Sequence, residues 1–254
     1  MESGQSELEG RRALIAGGGG GLGSAMAAAL HGVGVDVAIM GRSAATAETA
    51  ARIGSDARPV HAIQADATDR AALAAGFDEA VERLGGLDIL IAAQGITLPR
   101  AALDHDLEAW DTTLETNLTS VFELCQLAAR TMAPGGRGKI LTIASMLSFS
   151  GGLNIAAYAA SKGGVAQLTK ALANEWAPLG INVNSIAPGY IRTAVNRHIW
   201  HDNPKRTAEI LARLPAGRWG NPEDLAGPAL FLCSSASDYL HGVVLPVDGG
   251  WLSR

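Results

Sequence analysis

The segment Ala13-Leu-Ile-Ala-Gly-Gly-Gly-Gly-Gly-Leu-Gly23 joins a short apolar run to a cluster of glycines. Gly17, Gly21 and Gly23 fit the pattern G-x-x-x-G-x-G, and an alanine-rich stretch typical of a helix follows. Glycines let the backbone approach a pyrophosphate closely, and the N–H groups at the start of a helix bind its charge. The segment therefore predicts a strand, a turn and a helix that bind a dinucleotide. Taken by itself, the motif leaves a flexible turn without a ligand as the alternative.

Short aliphatic runs bounded by Gly, Asp or Pro recur along the chain, as expected for buried strands of a parallel sheet. They cover residues 13–16, 35–40, 60–64, 87–93, 140–144, 181–186 and 243–247. Helix-like segments lie between them at residues 22–33, 69–84, 156–177 and 222–234, with Thr68 and Asn221 as expected N-caps. This alternation predicts an α/β fold with a doubly wound sheet and helices on both faces. Because no repeat or composition break interrupts it, residues 1–254 are expected to form a single domain.

Composition excludes several classes of protein. The 254 residues carry a net charge of −5 and scattered basic side chains, which predicts neither a nucleic-acid surface nor a polybasic membrane anchor. Cys125 and Cys233 lie in apolar stretches and are expected to be buried thiols rather than a disulfide. Glu2, Glu7 and Glu9 stand where a secretion signal would be basic, so a cytoplasmic location is expected.

Tyr158 and Lys162 form the most informative polar pair of the chain. Their i, i+4 spacing places both side chains on one face of a helix, where an ammonium group favours the phenolate and lowers the phenol pKa. Such a phenol can pass a proton to or from an alcohol or ketone. Ser145, thirteen residues upstream at the end of an apolar run, adds a hydroxyl to the candidate site.

The end of the second predicted strand indicates which dinucleotide binds. An acidic side chain at this place holds the ribose diol and repels a 2′-phosphate, but Gly41 stands there, followed by Arg42. Arginine suits a phosphate by its charge and its fork of donors, so NADP(H) is favoured, with NAD(H) or a simple surface arginine as alternatives. Replacing Gly41 by Asp and Arg42 by Ile is expected to shift the preference towards NAD(H). Asp66 could accept from an adenine amino group or cap the following helix.

Residues 189–218 lie in the longest stretch without a predicted strand, between the runs that end at residue 186 and begin at residue 243. Several arginines and Trp200 lie in it, which is typical of a lid over a ligand cleft, although a solvated helical excursion is the alternative. His198 and His201 have a metal-compatible spacing, but no cysteine or carboxylate completes a ligand set, so no metal site is expected. The absence of G-x-S-x-G and Walker motifs disfavours serine hydrolases and P-loop NTPases.

Together these motifs resemble the classical short-chain dehydrogenase/reductase family from Arg12 to Trp251. The resemblance implies a Rossmann-type domain with a seven-stranded parallel sheet, usually a homotetramer, that interconverts a secondary alcohol and a ketone with NAD(P). It places the catalytic tetrad on Asn117, Ser145, Tyr158 and Lys162. In these roles Tyr158 transfers the proton, Lys162 binds the nicotinamide ribose, Ser145 donates to the carbonyl oxygen, and Asn117 helps hold a relay water.

The same resemblance extends the predicted cofactor site along the chain. Residues 188–193 match the family segment over the nicotinamide, and residues 247–250 match its C-terminal signature. The predicted cofactor contacts are Gly17, Gly21, Leu22, Gly23, Arg42, Asp66, Ala67, Gly95, Tyr158, Lys162, Pro188, Gly189, Ile191 and Thr193. Two departures stand out, since Ala16 replaces the family's Thr and Ala92-Ala93-Gln94-Gly95 replaces its Asn-Asn-Ala-Gly. The hydrogen bonds usually made there must be absent or replaced.

Within the family, residues 143–149, 173–176 and 215–220 are similar to dehydrogenases of gluconate-type sugar acids. This implies a small sugar acid whose carbonyl meets Ser145 and whose carboxylate is bound by Arg192 or Arg197 of the predicted lid. Ketoacyl-carrier-protein reductases share much of the pattern and are the main alternative. A dinucleotide-binding protein without turnover is the alternative from another functional class.

Overall fold

The computed structural model describes residues 7–254, so Glu2 of the acidic terminus lies outside the described residues. The strands are β1 Arg12–Ala16, β2 Asp36–Gly41, β3 His61–Gln64, β4 Ile89–Ala92, β5 Gly138–Ile143, β6 Ile181–Pro188 and β7 Val244–Val247. They form one parallel sheet in the order β3-β2-β1-β4-β5-β6-β7. All seven predicted strands are confirmed, with ends that differ by no more than two residues.

The α-helices of the described residues connect the strands and cover the sheet. They are α1 Gly21–Gly32, α2 Ala45–Ile53, α3 Arg70–Leu84, α4 Leu107–Leu114, α5 Ser120–Met132, α6 Ala156–Trp176, α7 Arg197–Trp200, α8 Pro204–Arg213 and α9 Ala226–Cys233. Successive β1 side chains point to opposite faces of the sheet. Leu14 packs in a core with α3, α5 and α6, whereas Ile15 packs in a second core with α1, α2 and α9. The predicted layers of helices on both faces are therefore confirmed.

The strand order positions the functional site. The chain runs outward from β1 through β2 to β3 and then returns to place β4 on the other side of β1. Connections that leave neighbouring strands in opposite directions open a crevice at their carboxyl ends, which is where ligands bind in such sheets. The predicted motif residues follow these strands, so they meet at that edge.

Two predicted helix starts are wrong. Asp69, not Thr68, caps α3 by accepting a hydrogen bond from the backbone N–H of Ala72 at 3.0 Å. Thr68 instead donates its N–H and hydroxyl to the Asp66 carboxylate at 2.9 and 2.8 Å, so Asp66 does not cap the helix either. The predicted helix 222–234 begins as a 3₁₀ turn, Pro222–Leu225, before α9 starts.

The predicted lid segment contains the two helices α7 and α8. Its base is tied to the domain where Ile191 pairs with Gly220. Trp200 is partly buried, and its Nε1 donates to the carbonyl oxygen of Thr193 at 3.0 Å. The segment is thus an ordered helical pair rather than an irregular loop.

Cys125 and Cys233 are buried thiols, as predicted. Across residues 7–254, no helix combines the length and apolar character that crossing a membrane requires. The same residues contain no group of three or more His, Cys, Asp or Glu side chains placed to hold a metal ion. His201 contacts Asp202 instead, with 2.7 Å between Nδ1 and Oδ1.

Candidate active site

A cleft of about 650 Å³ opens at the carboxyl ends of the strands, a size typical of sites for small ligands and cofactors. Its walls come from the ends of β1, β2, β4, β5 and β6 and from the helices that follow. Every predicted cofactor residue lines it, namely Gly17, Gly21, Leu22, Gly23, Arg42, Asp66, Ala67, Gly95, Tyr158, Lys162, Pro188, Gly189, Ile191 and Thr193. The fold therefore gathers the predicted set in one place, while its cofactor contacts stay a prediction.

The glycine turn after β1 leaves bare backbone facing the cleft. Gly17 has a φ of +75°, and a Cβ there would lie 2.6 Å from the backbone nitrogen of Gln94. A Cβ on Gly23 would collide with the carbonyl oxygen of Gly17. Thr193 packs over the turn, since its Cγ2 lies 3.4 Å from the Cβ position of Gly21. The turn thus offers close backbone approach to a pyrophosphate, and the segment after β6 covers it.

Lys162 is buried at the inner end of the cleft, where only 4% of it is exposed. Its Nζ donates to the carbonyl oxygen of Ile143 at 2.6 Å and lies 5.8 Å from the centroid of the Tyr158 ring. Burial lowers the pKa of Lys162 to about 8, because the charged form loses its hydration. The ammonium group is therefore held by the sheet edge, within reach of the phenol but not bonded to it.

The pKa of the Tyr158 phenol differs from the prediction. Burial raises its pKa, and a hydrogen bond with the Ser145 side chain opposes that rise. The predicted lowering of this pKa by Lys162 is wrong for this structure, because the Nζ of Lys162 is directed at Ile143. Ser145 is the group that favours the phenolate here.

Ser145 begins a 3₁₀ turn, Met146–Ser148, at the end of β5. Its Oγ accepts from the backbone N–H of Leu147 at 3.1 Å, so its one hydrogen can be donated either to the Tyr158 oxygen or to a substrate oxygen. Ser148 ties this turn to α6, because its Oγ accepts from the N–H of Ser145 at 3.3 Å and donates to the carbonyl oxygen of Lys162 at 2.6 Å. Ser148 was not predicted, and its only sequence signal is a hydroxyl within an apolar stretch.

We expect Ser148→Ala to lower kcat by roughly tenfold, since small misplacements of catalytic groups cost up to about 100-fold. Cofactor affinity should stay near the wild-type value, because Ser148 does not line the cleft. Ser150→Ala is the matched control, since its Oγ donates to Met146 in the same turn at 3.4 Å. Steady-state kinetics of both variants provide the check. Equal kcat values for the two would contradict the positioning role of Ser148.

Asn117 lies in a π-helical turn, Glu115–Thr119, between α4 and α5, and none of it is exposed. Its Oδ1 accepts from the N–H of Ile96 at 2.8 Å, and its Nδ2 donates to the Ile96 carbonyl and the Ser161 hydroxyl at 2.9 and 3.1 Å. Both amide hydrogens are therefore used to clamp the loop after β4 against α6. Asn117 can therefore bond to a relay water only by accepting a hydrogen bond at one of its oxygens.

Asn117→Ala should reduce the free energy of unfolding by about 2–4 kcal/mol, because it removes the side-chain partners of the partly buried N–H and C=O of Ile96 and of the Ser161 hydroxyl. Urea denaturation monitored by circular dichroism measures this change. Asn203→Ala removes the exposed cap of α8 and should cost only about 1 kcal/mol. If the two losses are equal, Asn117 is not the clamp described here.

Gln94, one of the residues at which this chain departs from the family pattern, makes a side-chain hydrogen bond there. Its Nε2 donates to the Ser120 hydroxyl at 3.0 Å, and that hydroxyl donates to the carbonyl oxygen of Thr116 at 2.7 Å. Gln94 Oε1 is buried and has no partner among residues 7–254. At Ala16 the backbone oxygen accepts from the N–H of Ala93 at 2.9 Å. The usual side-chain links are thus replaced at Gln94, and β4 remains tied to α5.

The two arginines predicted to bind a carboxylate lie outside the cleft wall. The guanidinium carbon of Arg192 is 5.8 Å from the Trp200 ring centroid, and Arg197 Nη2 lies 3.5 Å from His201 Nε2. Asn196, which was not predicted, lines the cleft. Its Oδ1 accepts from the N–H of Thr193 at 2.9 Å, and its Nδ2 donates to Ile191 at 2.7 Å. These hydrogen bonds hold residues 191–196 in place, but neither Arg192 nor Arg197 is positioned to bind a carboxylate in the cleft.

Comparison with known proteins identifies the family. The family model described as enoyl-(acyl carrier protein) reductase matches residues 17–252. A 2-dehydro-3-deoxy-D-gluconate 5-dehydrogenase of Bacillus subtilis strain 168 is 46% identical over 247 residues, which are 97% of this chain and 96% of that protein. The chain belongs to the short-chain dehydrogenase/reductase family. As a member of this family it is an NAD(P)-dependent oxidoreductase that acts on CH–OH groups, as the sequence motifs indicate.

Two further short-chain dehydrogenases/reductases are similar over nearly their whole length. The gluconate 5-dehydrogenase of Gluconobacter oxydans strain 621H is 40% identical over 246 residues, or 96% of this chain and 95% of that protein. The crystal structure of a gluconate 5-dehydrogenase from Burkholderia cenocepacia J2315, in complex with NADP and tartrate, has a TM-score of 0.93 and 37% identity. The match between the two structures covers 98% of this chain and 99% of the other. The fold and the family resemblance are both confirmed.

Proposed function

We propose that the protein interconverts a secondary alcohol and a ketone on a small sugar acid of the gluconate or deoxygluconate type. NADP(H) is the favoured cofactor and NAD(H) the alternative. The observation that carries this proposal is the meeting of Ser145, Tyr158 and Lys162 at one end of a cleft whose other end is the glycine turn and Arg42. The names of the gluconate-type relatives support the substrate class.

The chain's own residues perform the proton chemistry. A bound nicotinamide supplies or accepts the hydride at its C4 atom. Tyr158 gives its phenolic proton to the ketone oxygen during reduction and takes it back during oxidation. Ser145 donates its one hydroxyl hydrogen to the Tyr158 oxygen before substrate binds, and to the substrate oxygen afterwards. Lys162 presents an ammonium group at the inner cleft for the ribose hydroxyls, beside Gly95, whose Cβ position is 3.6 Å from Nζ.

The adenosine end of the cleft supports NADP(H). No carboxylate stands at residue 41, and the exposed guanidinium of Arg42 is within 3.9 Å of Asp66. Hydrogen bonds from Thr68 hold the pKa of Asp66 below its usual value, and Arg42 adds to this effect. The weak ion pair leaves most of the Arg42 donors for a 2′-phosphate.

The cations of the cleft wall, Arg42 and Lys162, are both assigned to the cofactor, so the sugar-acid carboxylate requires a further cation. Arg192 lies between Ile191 and Thr193, which both line the cleft, so it is the guanidinium of the lid segment that stands next to the cleft wall in sequence. We therefore retain Arg192, and Arg197 after it, as the carboxylate partners in a closed lid. Closure also excludes water from the reaction.

The substrate proposal is tested by comparing kcat/KM for three ketones: a keto-deoxygluconate-type acid, its uncharged sugar analogue and an acetoacetyl thioester. A charge-assisted hydrogen bond contributes about 1.5–3 kcal/mol, so the acid should exceed the analogue by about 10–100-fold, and Arg192→Ala should remove most of that difference. Equal kcat/KM values for the acid and its uncharged analogue would contradict the binding of the carboxylate by an arginine. Preference for the thioester would favour a ketoacyl-carrier-protein reductase.

We further propose that the protein is a cytoplasmic homotetramer. The buried, unpaired thiols support the location, since they fit a reducing compartment. Exposed apolar side chains on the helices, including Leu107 and Phe122, support self-association. Sedimentation equilibrium provides the check, and a monomer at every concentration would contradict the assembly.

A further inference from the structure

Thr46, in the first turn of α2, stands between the glycine turn and the end of β2. A Cβ built on Gly41 would lie 2.6 Å from the Thr46 Oγ1, and a Cβ on Gly19 would lie 2.9 Å from it. Only 3% of Thr46 is exposed, yet the residue lines the cleft beside Arg42. Its hydroxyl therefore occupies the space in which a side chain at residue 41 would begin.

Glycine at residue 41 is required by this neighbour rather than by its own backbone. Gly41 is not among the residues with positive φ, so an L side chain meets no strain from the main chain there. Thr46 cannot easily move away, because its side chain is buried and its N–H donates to the carbonyl oxygen of Ser43 at 3.0 Å. A threonine in a helix also has only two common χ1 rotamers.

We propose that Thr46 restricts residue 41 to glycine, because its hydroxyl occupies the space that any side chain there would need. It thereby keeps a carboxylate away from the adenosine ribose and leaves the site beside Arg42 open to a 2′-phosphate. This inference rests on the proposed use of NADP(H). The expectation from the sequence that Gly41→Asp with Arg42→Ile changes the preference stays a prediction, and we add that Thr46→Ala is needed for the full change, since the exchange of residues 41 and 42 leaves Thr46 in place.

The coupling between residues 41 and 46 is measured by titrating purified variants with NADPH and NADH and following the fluorescence of the bound nicotinamide. Thr46→Ala alone should change both Kd values by less than about threefold, because it adds no charge. Gly41→Asp alone should weaken both cofactors without reversing their order. Gly41→Asp with Thr46→Ala should shift the Kd ratio towards NADH by at least about tenfold beyond Gly41→Asp alone, since a well-placed carboxylate repels the 2′-phosphate.

Thr49→Ala is the matched control, because Thr49 is a buried threonine of the same helix that does not line the cleft. The double variant Gly41→Asp with Thr49→Ala should therefore have the same Kd ratio for the two cofactors as Gly41→Asp alone. The proposal is overturned if Gly41→Asp alone shifts the ratio as far as Gly41→Asp with Thr46→Ala does. It is also overturned if Gly41→Asp with Thr49→Ala shifts the Kd ratio towards NADH as far as Gly41→Asp with Thr46→Ala does.

Gly41→Ala keeps the inference testable even if the aspartate variant does not fold, because it adds only the Cβ. Its Tm should fall in the presence of Thr46 and recover in the Thr46→Ala background; equal losses in both backgrounds would contradict the steric role. Wild-type protein that binds NADH more tightly than NADPH would refute the proposed cofactor preference. The coupling between residues 41 and 46 would still be measured by the same variants, so the two failures are distinguishable.

Discussion

Tyr158→Phe should bind NADPH as tightly as the wild type and lose nearly all turnover. The substitution keeps the ring and removes only the hydroxyl that exchanges a proton with the substrate oxygen. Losing general acid–base catalysis costs about 10²–10⁴-fold in rate. The hydroxyl also pairs with Ser145, so the variant leaves that serine as the remaining donor for the substrate oxygen.

The measurement combines kcat with a fluorescence titration of the cofactor. Tyr239→Phe makes the same chemical change on a tyrosine that is 99% exposed, and it should behave as the wild type. A Tyr158→Phe enzyme that keeps more than about a tenth of the wild-type kcat would remove Tyr158 from the role of acid and base.

Lys162→Ala should weaken both cofactor binding and turnover. The wild-type ammonium group lies at the inner cleft beside Gly95 and the Tyr158 ring, where a ribose and the reacting groups meet. We expect a rise of about 10–100-fold in the Kd for NADPH and a loss of about 10–100-fold in kcat, since a charged hydrogen-bond donor contributes about 1.5–3 kcal/mol to each. Lys170→Ala, two turns later on the exposed side of α6, should match the wild type.

The pH dependence of NADPH binding separates this role from a structural one. Because burial lowers the pKa of Lys162 to about 8, the side chain is charged below that pH and loses its charge above it. Wild-type affinity for the anionic cofactor should therefore weaken as the pH rises through about 8, and Lys162→Ala should lack this step. A variant that retains the step, or that binds NADPH as well as the wild type, would contradict the assignment.

The sequence predicted the sheet well because buried parallel strands leave a direct signal. The run Ala-Leu-Ile-Ala at residues 13–16 is apolar on both faces and ends at Gly17, and such runs could be located along the chain. Helix starts were less certain, since Thr68 and Asp69 are both good caps and only the fold shows that Asp69 accepts from Ala72.

The positions of the site residues were also predictable, because Tyr158, Lys162 and the glycine turn form recognisable spacings. What could not be predicted is how distant segments meet. The bond from Lys162 to Ile143, the link from Ser148 to α6 and the contact of Thr46 with Gly41 all join residues whose neighbours in sequence give no such signal. The bond from Lys162 to Ile143 directs the ammonium group away from Tyr158, whose predicted pKa lowering is wrong. The contact of Thr46 with Gly41 constrains residue 41.

The most direct test of the central claim follows the hydride itself. Wild-type protein is incubated with C4-deuterated NADPH and a keto-deoxygluconate-type acid, and the product is analysed by mass spectrometry and NMR. Hydride transfer to a secondary carbon predicts a product that carries deuterium on the carbon bearing the new hydroxyl, and no labelled product with Tyr158→Phe. If NADPH binds but no sugar acid of a broad panel acquires deuterium, the protein is not a sugar-acid dehydrogenase.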